Sequence, residues 1–164
     1  MQLILTGGTI DKHYNELNGE LGFSETHIDE MLAQSRTTVD FSISKVMLKD
    51  SLEMTDEDRE EIAAVCLNSA ETQVVITHGT DTMVETAQVL AARLKEAGQE
   101  KSVVLFGAML PYELANSDGL FNFGSAVAAA QLVDAGVYLA MNGKIFPFYD
   151  VRKNKAEGLF ESLS

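Results

Sequence analysis

Residues 74–82 read VVITHGTDT, a short apolar run that leads into a polar segment with one glycine. A run of this length, followed by helix-like periodicity, is typical of a buried strand in a parallel α/β sheet. Residues 3–9, LILTGGT, repeat the arrangement near the start of the chain. Both stretches place a threonine beside glycine directly after a buried strand. They therefore indicate the fold and mark two strand ends as candidate sites.

Short apolar runs and amphipathic stretches alternate along the rest of the chain, which favours a parallel sheet with crossover helices. Strands are predicted over residues 3–5, 39–48, 74–76, 103–106, 137–141 and 144–148, the last two joined by a tight turn at Asn142-Gly143. Helices are predicted near residues 28–32, from Thr55 onward, over 83–94 with Gly98 as a left-handed cap, and over 119–135.

Three polar residues are predicted to cap helices. Thr55 has Asp58 three positions later, which resembles a capping box, and Thr82 with Glu85 repeats the pattern. Asp118 is expected to cap the long helix that follows it.

These elements predict a doubly wound α/β fold, a mostly parallel sheet with helices on both faces and a C-terminal β-hairpin. No linker rich in proline, glycine or serine interrupts the series, so residues 1–164 are expected to form a single domain. Ligands of such sheets bind beyond the carboxyl ends of the strands. The residues at those ends therefore carry the main information about function.

Charge excludes one class of partner. The chain has 164 residues, with 12 lysines and arginines against 25 aspartates and glutamates, a net charge of −13. An excess of this size repels phosphate backbones, so binding of nucleic acid through a basic face is excluded. No apolar run approaches the ~18 residues of a membrane span, and no leader segment is visible. A soluble cytoplasmic protein without membrane contact is expected.

Cysteine and histidine usage gives no sign of a metal centre. Cys66 is the single cysteine, which excludes an intrachain disulfide and a thiolate zinc cage, and it is expected in the core. None of the three histidines (His13, His27 and His78) lies three or four positions from another. No metal site is therefore predicted, and His78 is expected to be buried and hydrogen-bonded.

The turns after the two strands have two interpretations. Threonine and aspartate are common helix caps, so either turn alone is as readily a simple connection as a ligand site. Thr80, however, lies near a helix N-terminus, where free N–H groups favour an anion or an oxyanion. Two such turns in one small domain favour a site. The chain lacks the G-x-G-x-x-G motif of dinucleotide-binding domains and the G-x-S-x-G motif of serine hydrolases.

The sequence resembles the amino-terminal, catalytic domain of the bacterial-type L-asparaginase family, over nearly the whole chain. Six segments in the family's order carry the resemblance: Thr6-Gly7-Gly8-Thr9-Ile10, Asp50-Ser51, Thr77-His78-Gly79-Thr80-Asp81-Thr82-Met83, Gly107-Ala108-Met109-Leu110-Pro111, Asp118-Gly119-Leu120-Phe121-Asn122 and Asp150-Val151-Arg152-Lys153.

The resemblance implies hydrolysis of the side-chain amide of L-asparagine to L-aspartate and ammonia, with no metal or organic cofactor. Thr9 would be the nucleophile that forms an acyl-enzyme, and Thr80 would act with Asp81 and Lys153. A lysine acts as a base only where its surroundings lower its pKa from the reference value of about 10.4. L-Glutamine would be a lesser substrate, because its extra methylene moves the amide away from the nucleophile.

Substrate contacts also follow from the resemblance. Backbone N–H groups of Gly79 and Thr80 would bind the oxyanion and the α-carboxylate with help from Ser51, and Asp81 would pair with the α-ammonium. Family members carry a tyrosine in a mobile loop after the first motif, and Tyr14 is the candidate here. Self-association into a dimer or tetramer is expected.

Two positions depart from the family's pattern. Leu52 stands where many relatives have a polar residue, and Leu110 replaces a common arginine. Most members also have a second, smaller domain, which completes the pocket of a neighbouring subunit. These differences leave a second hypothesis open, a non-catalytic domain that binds an amino acid or regulates. The combination of nucleophile, second threonine, aspartate and lysine favours the enzyme.

Overall fold

The computed structural model describes residues Met1–Ser164. Its strands are β1 (Gln2–Gly7), β2 (Lys12–Asn15), β3 (Glu20–Phe23), β4 (Ser42–Lys49), β5 (Gln73–Thr77), β6 (Ser102–Phe106), β7 (Gly136–Met141), β8 (Lys144–Pro147), β9 (Arg152–Asn154) and β10 (Leu159–Glu161). Its helices are α1 (Ile28–Ser35), α2 (Asp56–Asn68), α3 (Met83–Ala97) and α4 (Gly119–Ala130). None of these helices is long and apolar enough to cross a membrane.

Six strands form the central sheet in the order β4-β1-β5-β6-β7-β8. The first five run parallel and β8 is antiparallel to β7, which confirms the predicted mostly parallel sheet. The chain moves from β1 outward to β4 and then crosses to β5 on the other side of β1. The strand order therefore reverses between β1 and β5, and a crevice at such a reversal is the usual ligand site of an open α/β sheet.

Apolar side chains cover both faces of the sheet, as a doubly wound fold requires. One cluster of 19 buried residues joins the sheet to α2 and α3, and one of 15 joins it to α1 and α4. Cys66 lies in the first cluster, as predicted, and burial raises the pKa of its thiol to about 11. The thiol is therefore protonated at neutral pH and packs as an apolar core group.

The fold contains three antiparallel hairpins, one at the edge of the central sheet and two outside it. β7 turns into β8 through Asn142 and Gly143, which both have positive φ (54° and 73°), the pattern of the predicted tight turn. β9 pairs with β10 in the C-terminal hairpin, and Val151 and Phe160 anchor it in the first apolar cluster. The hairpin of β2 and β3 was not predicted, because residues 12–23 lack a buried face.

Helix starts agree with the prediction in only one of three cases. Thr55 forms the predicted capping box with Asp58 at the start of α2. Thr82 occupies the N-cap of α3 but makes no cap, so the Thr82–Glu85 prediction is wrong; its hydroxyl instead donates to the Ser51 carbonyl at 2.8 Å. The hydroxyl thus donates to a carbonyl of another segment and does not accept from the backbone N–H groups of the first turn, as a cap would.

Asp118 likewise makes no cap at the start of α4, contrary to prediction. Its carboxylate accepts hydrogen bonds from the backbone N–H groups of Met109 and Leu110, at 2.9 and 3.1 Å, and from the side-chain amide of Asn122 in α4 at 2.9 Å. It therefore holds the loop that follows β6. Two predicted boundaries also differ, since α4 ends at Ala130 and not at residue 135, and β4 begins at Ser42 and not at residue 39.

Candidate active site

Two glycine turns meet where the strand order reverses. Gly8 follows β1 with a φ of 88°, and a Cβ at this position would lie 2.4 Å from the backbone nitrogen of Gly79. Gly79 follows β5, and a Cβ there would lie 2.5 Å from Oγ of Ser51. No side chain fits in either place, so the contact requires glycine in both turns. Thr9 and Thr80 each follow directly after one of these glycines.

A pair of buried threonines fixes the two strand ends to one another. The hydroxyl of Thr77 accepts from the backbone N–H of Thr6 at 3.0 Å, and the hydroxyl of Thr6 donates to the Thr77 carbonyl at 2.5 Å. Side chains thus continue the contact between β1 and β5 beyond its last backbone pair. Gly7 is fitted just as tightly to the end of β4, because its Cβ would lie 2.4 Å from the nitrogen of Lys49. Three strand ends are therefore held together.

Lys153 reaches this crevice from the C-terminal hairpin. Its Nζ lies 2.7 Å from Oγ1 of Thr80 and 2.9 Å from Oδ1 of Asp81. The lysine side chain is only 11% exposed and the aspartate 30%. In β9, Lys153 lies directly opposite the buried Phe160 of β10, so both side chains leave the hairpin on the face toward the sheet. The structure thus brings together three of the predicted site residues.

Ser51 connects the end of β4 to the start of α3. Its buried hydroxyl accepts from the backbone N–H of Asp81 at 3.2 Å, in addition to the carbonyl contact with Thr82 described above. The backbone N–H groups of Gly79 and Thr80 donate to no group in the chain. They lie just before the N-terminus of α3, whose dipole favours negative charge. Two free donors are therefore available for an anion or an oxyanion at this point.

Of the two predicted site residues after β1, Thr9 is half-buried beside the glycine turn and Tyr14 is exposed in the hairpin of β2 and β3. Thr9 begins a single 3-10 turn after Gly8, is half-buried, and its hydroxyl makes no hydrogen bond within the chain. Tyr14 lies in β2 with 55% of its surface exposed, and its hydroxyl lies over Gly19 at the hairpin tip, 3.9 Å from the position of a Cβ there. The tyrosine hydroxyl does not hydrogen-bond to Thr9 in this conformation.

His78 lies beneath the crevice and is fully buried, as predicted. Its Nδ1 is 2.7 Å from the Gly79 carbonyl and its Nε2 is 2.7 Å from the Thr86 hydroxyl. A carbonyl only accepts, so Nδ1 carries the proton and Nε2 accepts from the hydroxyl. Burial lowers the pKa of His78 to about 4, which keeps the ring neutral. The side chain supports the turn and does not reach the crevice.

Sequence reasoning missed an ion pair beside the crevice. Nζ of Lys12 lies 2.5 Å from Oδ2 of Asp50, with side chains 20% and 28% exposed. Partial burial opposes ionisation of Asp50, but the hydrogen bond from Lys12 and the charges of Lys12 and Lys153 hold its pKa below the usual value. Lys12 is three residues after Thr9 and Asp50 directly precedes Ser51. The signal in the sequence was that two residues of opposite charge follow the neighbouring strands β1 and β4, which indicates a possible ion pair.

The chain is similar to known proteins in sequence and in fold. A family model described as "Asparaginase, N-terminal" matches residues 1–162. A Haemophilus influenzae protein named "Probable L-asparaginase periplasmic" is 33% identical over 160 residues, which cover 92% of this chain and 45% of that protein. The chain spans about half the length of the curated full-length relatives it matches.

Two solved structures share the fold over nearly the whole chain. The thermostable L-asparaginase from Thermococcus kodakarensis superposes with a TM-score of 0.79 at 29% identity, covering 99% of this chain and 51% of that one. The "Probable Cytoplasmic L-asparaginase from Campylobacter jejuni" also gives 0.79, at 32% identity, covering 98% and 52% respectively.

Proposed function

Because the chain belongs to the family of asparaginase N-terminal domains, we propose that it is an amidohydrolase that converts L-asparagine into L-aspartate and ammonia. The observation that carries the proposal is the contact of Lys153 Nζ with Oγ1 of Thr80 at 2.7 Å, beside the glycine turn that leads to Thr9. A helix cap or a simple connection needs no lysine at this place. A threonine that takes part in proton transfer needs a neighbouring acid–base group such as this lysine.

The charges around the crevice suit an amino acid zwitterion. Asp81 offers a carboxylate for the α-ammonium group. The unbonded N–H groups of Gly79 and Thr80 offer donors for a carboxylate or an oxyanion, and Ser51 orients the adjoining segment. Each hydrogen bond to a charged group contributes about 1.5–3 kcal/mol. Substrate recognition is thus assigned to backbone and side chains of three neighbouring strand ends.

The proposed reaction is an acyl transfer in two steps. Oγ1 of Thr9 bonds to the amide carbon, the carbon–nitrogen bond breaks, and ammonia leaves with the proton that the threonine hydroxyl gives up. Water then attacks the ester, which restores Thr9 and releases L-aspartate. A neutral alcohol is a poor nucleophile, so both steps need a group that moves the proton.

Thr80 and Lys153 are proposed to move that proton. When Lys153 is an ammonium it donates to Oγ1 of Thr80, which leaves the threonine hydrogen free to point into the crevice. Lys153 passes a proton through Thr80 to the leaving nitrogen, the proton that Thr9 gives up restores the ammonium of Lys153, and Asp81 stabilises that charge. In the second step the same groups take the proton of water and return it to Oγ1 of Thr9 as the ester breaks. The path needs no metal and no organic cofactor.

Release of ammonia from L-asparagine by the purified protein tests this function. We expect activity in the unsubstituted protein, at least 100-fold less in Thr9→Ala, and normal activity in Thr38→Ala, a control at an exposed threonine outside the crevice. L-Glutamine should be hydrolysed more slowly. Equal activity in Thr9→Ala would refute the mechanism. L-Asparagine binding without ammonia release would support the alternative, a non-catalytic domain that binds an amino acid or regulates.

Self-association is proposed together with the activity. The site is open to solvent, and the apolar side chains Leu52 and Leu110 beside it are 67% and 45% exposed. A second copy of the chain in a dimer or tetramer would cover such residues. Sedimentation at micromolar concentration should show an oligomer, and a species of about 18 kDa alone would contradict it.

We propose further that residues 1–164 act as one catalytic domain in the cytoplasm. Phe160 of the last strand lies in the same apolar cluster as Ile4 of the first, which supports a single cooperative unit. One of the two solved relatives is named as cytoplasmic. A single unfolding transition and recovery of the protein in the cytoplasmic fraction are expected, and two transitions or recovery outside the cytoplasm would contradict these proposals.

A further inference from the structure

A second group of reactive side chains lies at the base of the β2–β3 hairpin, outside the crevice. His13 in β2, His27 just before α1 and Glu113 in the loop after β6 each place a possible ligand atom within 4.8 Å of the other two. The two imidazole rings lie against one another with centroids 4.2 Å apart and planes tilted by 39°. Sequence spacing did not predict this cluster, because it forms only when the hairpin folds back against α1.

The Nδ1 atom of His13 points a lone pair at the carboxylate of Glu113 when the ring is neutral. Its Nε2 lies 3.0 Å from the Glu25 carbonyl, which only accepts, so Nε2 carries the proton. In the neutral ring Nδ1 then has a lone pair, and this atom lies 3.1 Å from Oε2 of Glu113. Two acceptors at this distance repel each other unless a cation lies between them. That cation is either a proton on Nδ1 or a metal ion.

His27 distinguishes these two possibilities. Its side chain is 5% exposed, and its buried Nε2 has no hydrogen-bond partner. A proton shared by His13 and Glu113 would leave this nitrogen unsatisfied, at a cost that buried polar groups seldom carry. A metal ion would satisfy it. Nδ1 of His27 lies 3.7 Å from a carboxylate oxygen of Glu30, too far for a hydrogen bond, so an acidic side chain lies near the other ring nitrogen.

We propose that His13, His27 and Glu113 bind a divalent transition-metal ion of the zinc type. Two imidazoles and one carboxylate suit Zn²⁺, whereas Mg²⁺ and Ca²⁺ prefer oxygen ligands alone. Metal–ligand distances of about 2.0–2.2 Å in a tetrahedron separate the ligand atoms by about 3.3–3.6 Å, a few tenths of an ångström more than the 3.1 Å between Nδ1 of His13 and Oε2 of Glu113. The ligand atom of His27 lies within 4.8 Å of the other two, so it has to approach them by at most about 1.5 Å.

The surroundings provide both support and access. Glu113 is oriented through its other oxygen, Oε1, which accepts from the backbone N–H of Tyr14. An open cleft of about 460 Å³, lined in part by Glu30, Tyr112 and Glu113, reaches the group from solvent on the side of Glu113. Because its ligands come from the hairpin, the start of α1 and the loop after β6, a bound ion would tie the hairpin that carries Tyr14 to the body of the protein.

Titration of chelator-treated, untagged protein with Zn²⁺ tests the proposal, with Co²⁺ as a spectroscopic probe. We expect one Zn²⁺ per chain and the visible absorption that Co²⁺ gives in a low-coordinate site. Glu113→Gln, which keeps the shape of the side chain, should weaken Zn²⁺ binding at least about 10-fold. His13→Ala should do the same, and Glu16→Gln in the exposed part of the same hairpin should bind as the unsubstituted protein does.

Metal-free melting curves of each variant identify any loss of folding, and the isosteric Glu113→Gln keeps the test open if His13→Ala unfolds. Zn²⁺ should also slow amide hydrogen exchange of residues 12–23. Absence of Zn²⁺ binding at millimolar concentration, or equal affinity in Glu113→Gln and Glu16→Gln, would overturn the proposal and leave a protonated His13 paired with Glu113. Ammonia release is not part of this test, so its outcome is independent of the proposed function.

Discussion

Nζ of Lys153 lies 2.7 Å from Oγ1 of Thr80, although 73 positions separate the two residues in the chain. The lysine belongs to a short hairpin of two three-residue strands, and the threonine to a turn in the central sheet. Short hairpins are marginally stable alone. The contact therefore depends on the apolar anchors that hold the hairpin against the sheet, and it can be tested at both ends.

Replacement of the lysine tests its chemical role. Lys153→Met keeps most of the apolar length of the side chain and removes the ammonium. We expect ammonia release from L-asparagine to fall at least 100-fold, since general acid–base groups contribute factors of about 10² to 10⁴. The exposed Lys155 gives the matched control, and Lys155→Met should retain activity. Similar rates in the two variants would remove Lys153 from the mechanism.

Replacement of the anchor tests the positioning of the lysine. Phe160 is 2% exposed and lies opposite Lys153 in the hairpin. Phe160→Ala should cost about 3–5 kcal/mol of stability, the usual range for a buried phenylalanine, and should lower activity toward that of Lys153→Met. Leu159→Ala, at a neighbouring position that is 39% exposed, serves as the control in melting and ammonia-release assays. Full activity in folded Phe160→Ala would show that the lysine holds its place without this anchor.

Alanine substitutions at two glycines are predicted to change the free energy of unfolding in opposite directions. Gly8→Ala would place a Cβ 2.4 Å from the backbone of Gly79 at a φ of 88°, so the free energy of unfolding should fall by about 2–4 kcal/mol. Gly124 lies within α4, and a Cβ there would meet nothing within 4 Å, so Gly124→Ala should raise it by about 0.5–1 kcal/mol. Urea unfolding measures both. A Gly8→Ala protein of unchanged stability would mean that the two turns do not touch.

The buried histidine predicts how stability depends on pH. Burial lowers the pKa of His78 to about 4 in the folded protein, against about 6.5 in an unfolded chain. Unfolding therefore takes up a proton between these values, so the histidine's contribution is complete above pH 6.5 and is lost as the pH falls toward 4. The full contribution is about 3 kcal/mol, since one pKa unit corresponds to about 1.4 kcal/mol.

Urea unfolding of the unsubstituted protein and of His78→Asn at pH 7, 6 and 5 isolates this contribution, because other titrating groups are common to both. The difference in stability between the two proteins should shrink as the pH falls. A difference that stays constant over this range would contradict a buried, neutral His78.

Local patterns were sufficient for the sheet and for the turns that carry the site. The run VVITHGTDT and its counterpart LILTGGT predict strands β5 and β1, and the apolar periodicity of the amphipathic stretches, such as residues 83–94 after β5, predicts the helices. These signals work because a buried strand and an amphipathic helix impose different spacings on apolar residues. Thr55 was predicted correctly for the same reason, since all partners of a capping box are close in sequence.

Contacts between distant segments could not be predicted in this way. Asp118 and Thr82 precede helices as capping residues do, yet both bind backbone groups of other segments. The pairing of Lys12 with Asp50 and the contact between the His13 and His27 rings arise only when separate segments meet. Lys153 lies between Arg152 and the nearby Lys155 in sequence, where the local pattern is that of an exposed lysine. Only the resemblance to a family placed it in the site.

The central claim is that Thr9 and Thr80 act on one bound molecule in the crevice between β1 and β5, and a crystal structure with L-aspartate tests it most directly. We predict the side-chain carboxylate of the product within about 3.5 Å of both threonine hydroxyls, a reactive separation, with its α-ammonium group on Asp81. L-Aspartate bound elsewhere, or hydroxyls too far apart to contact the same carboxylate, would contradict it.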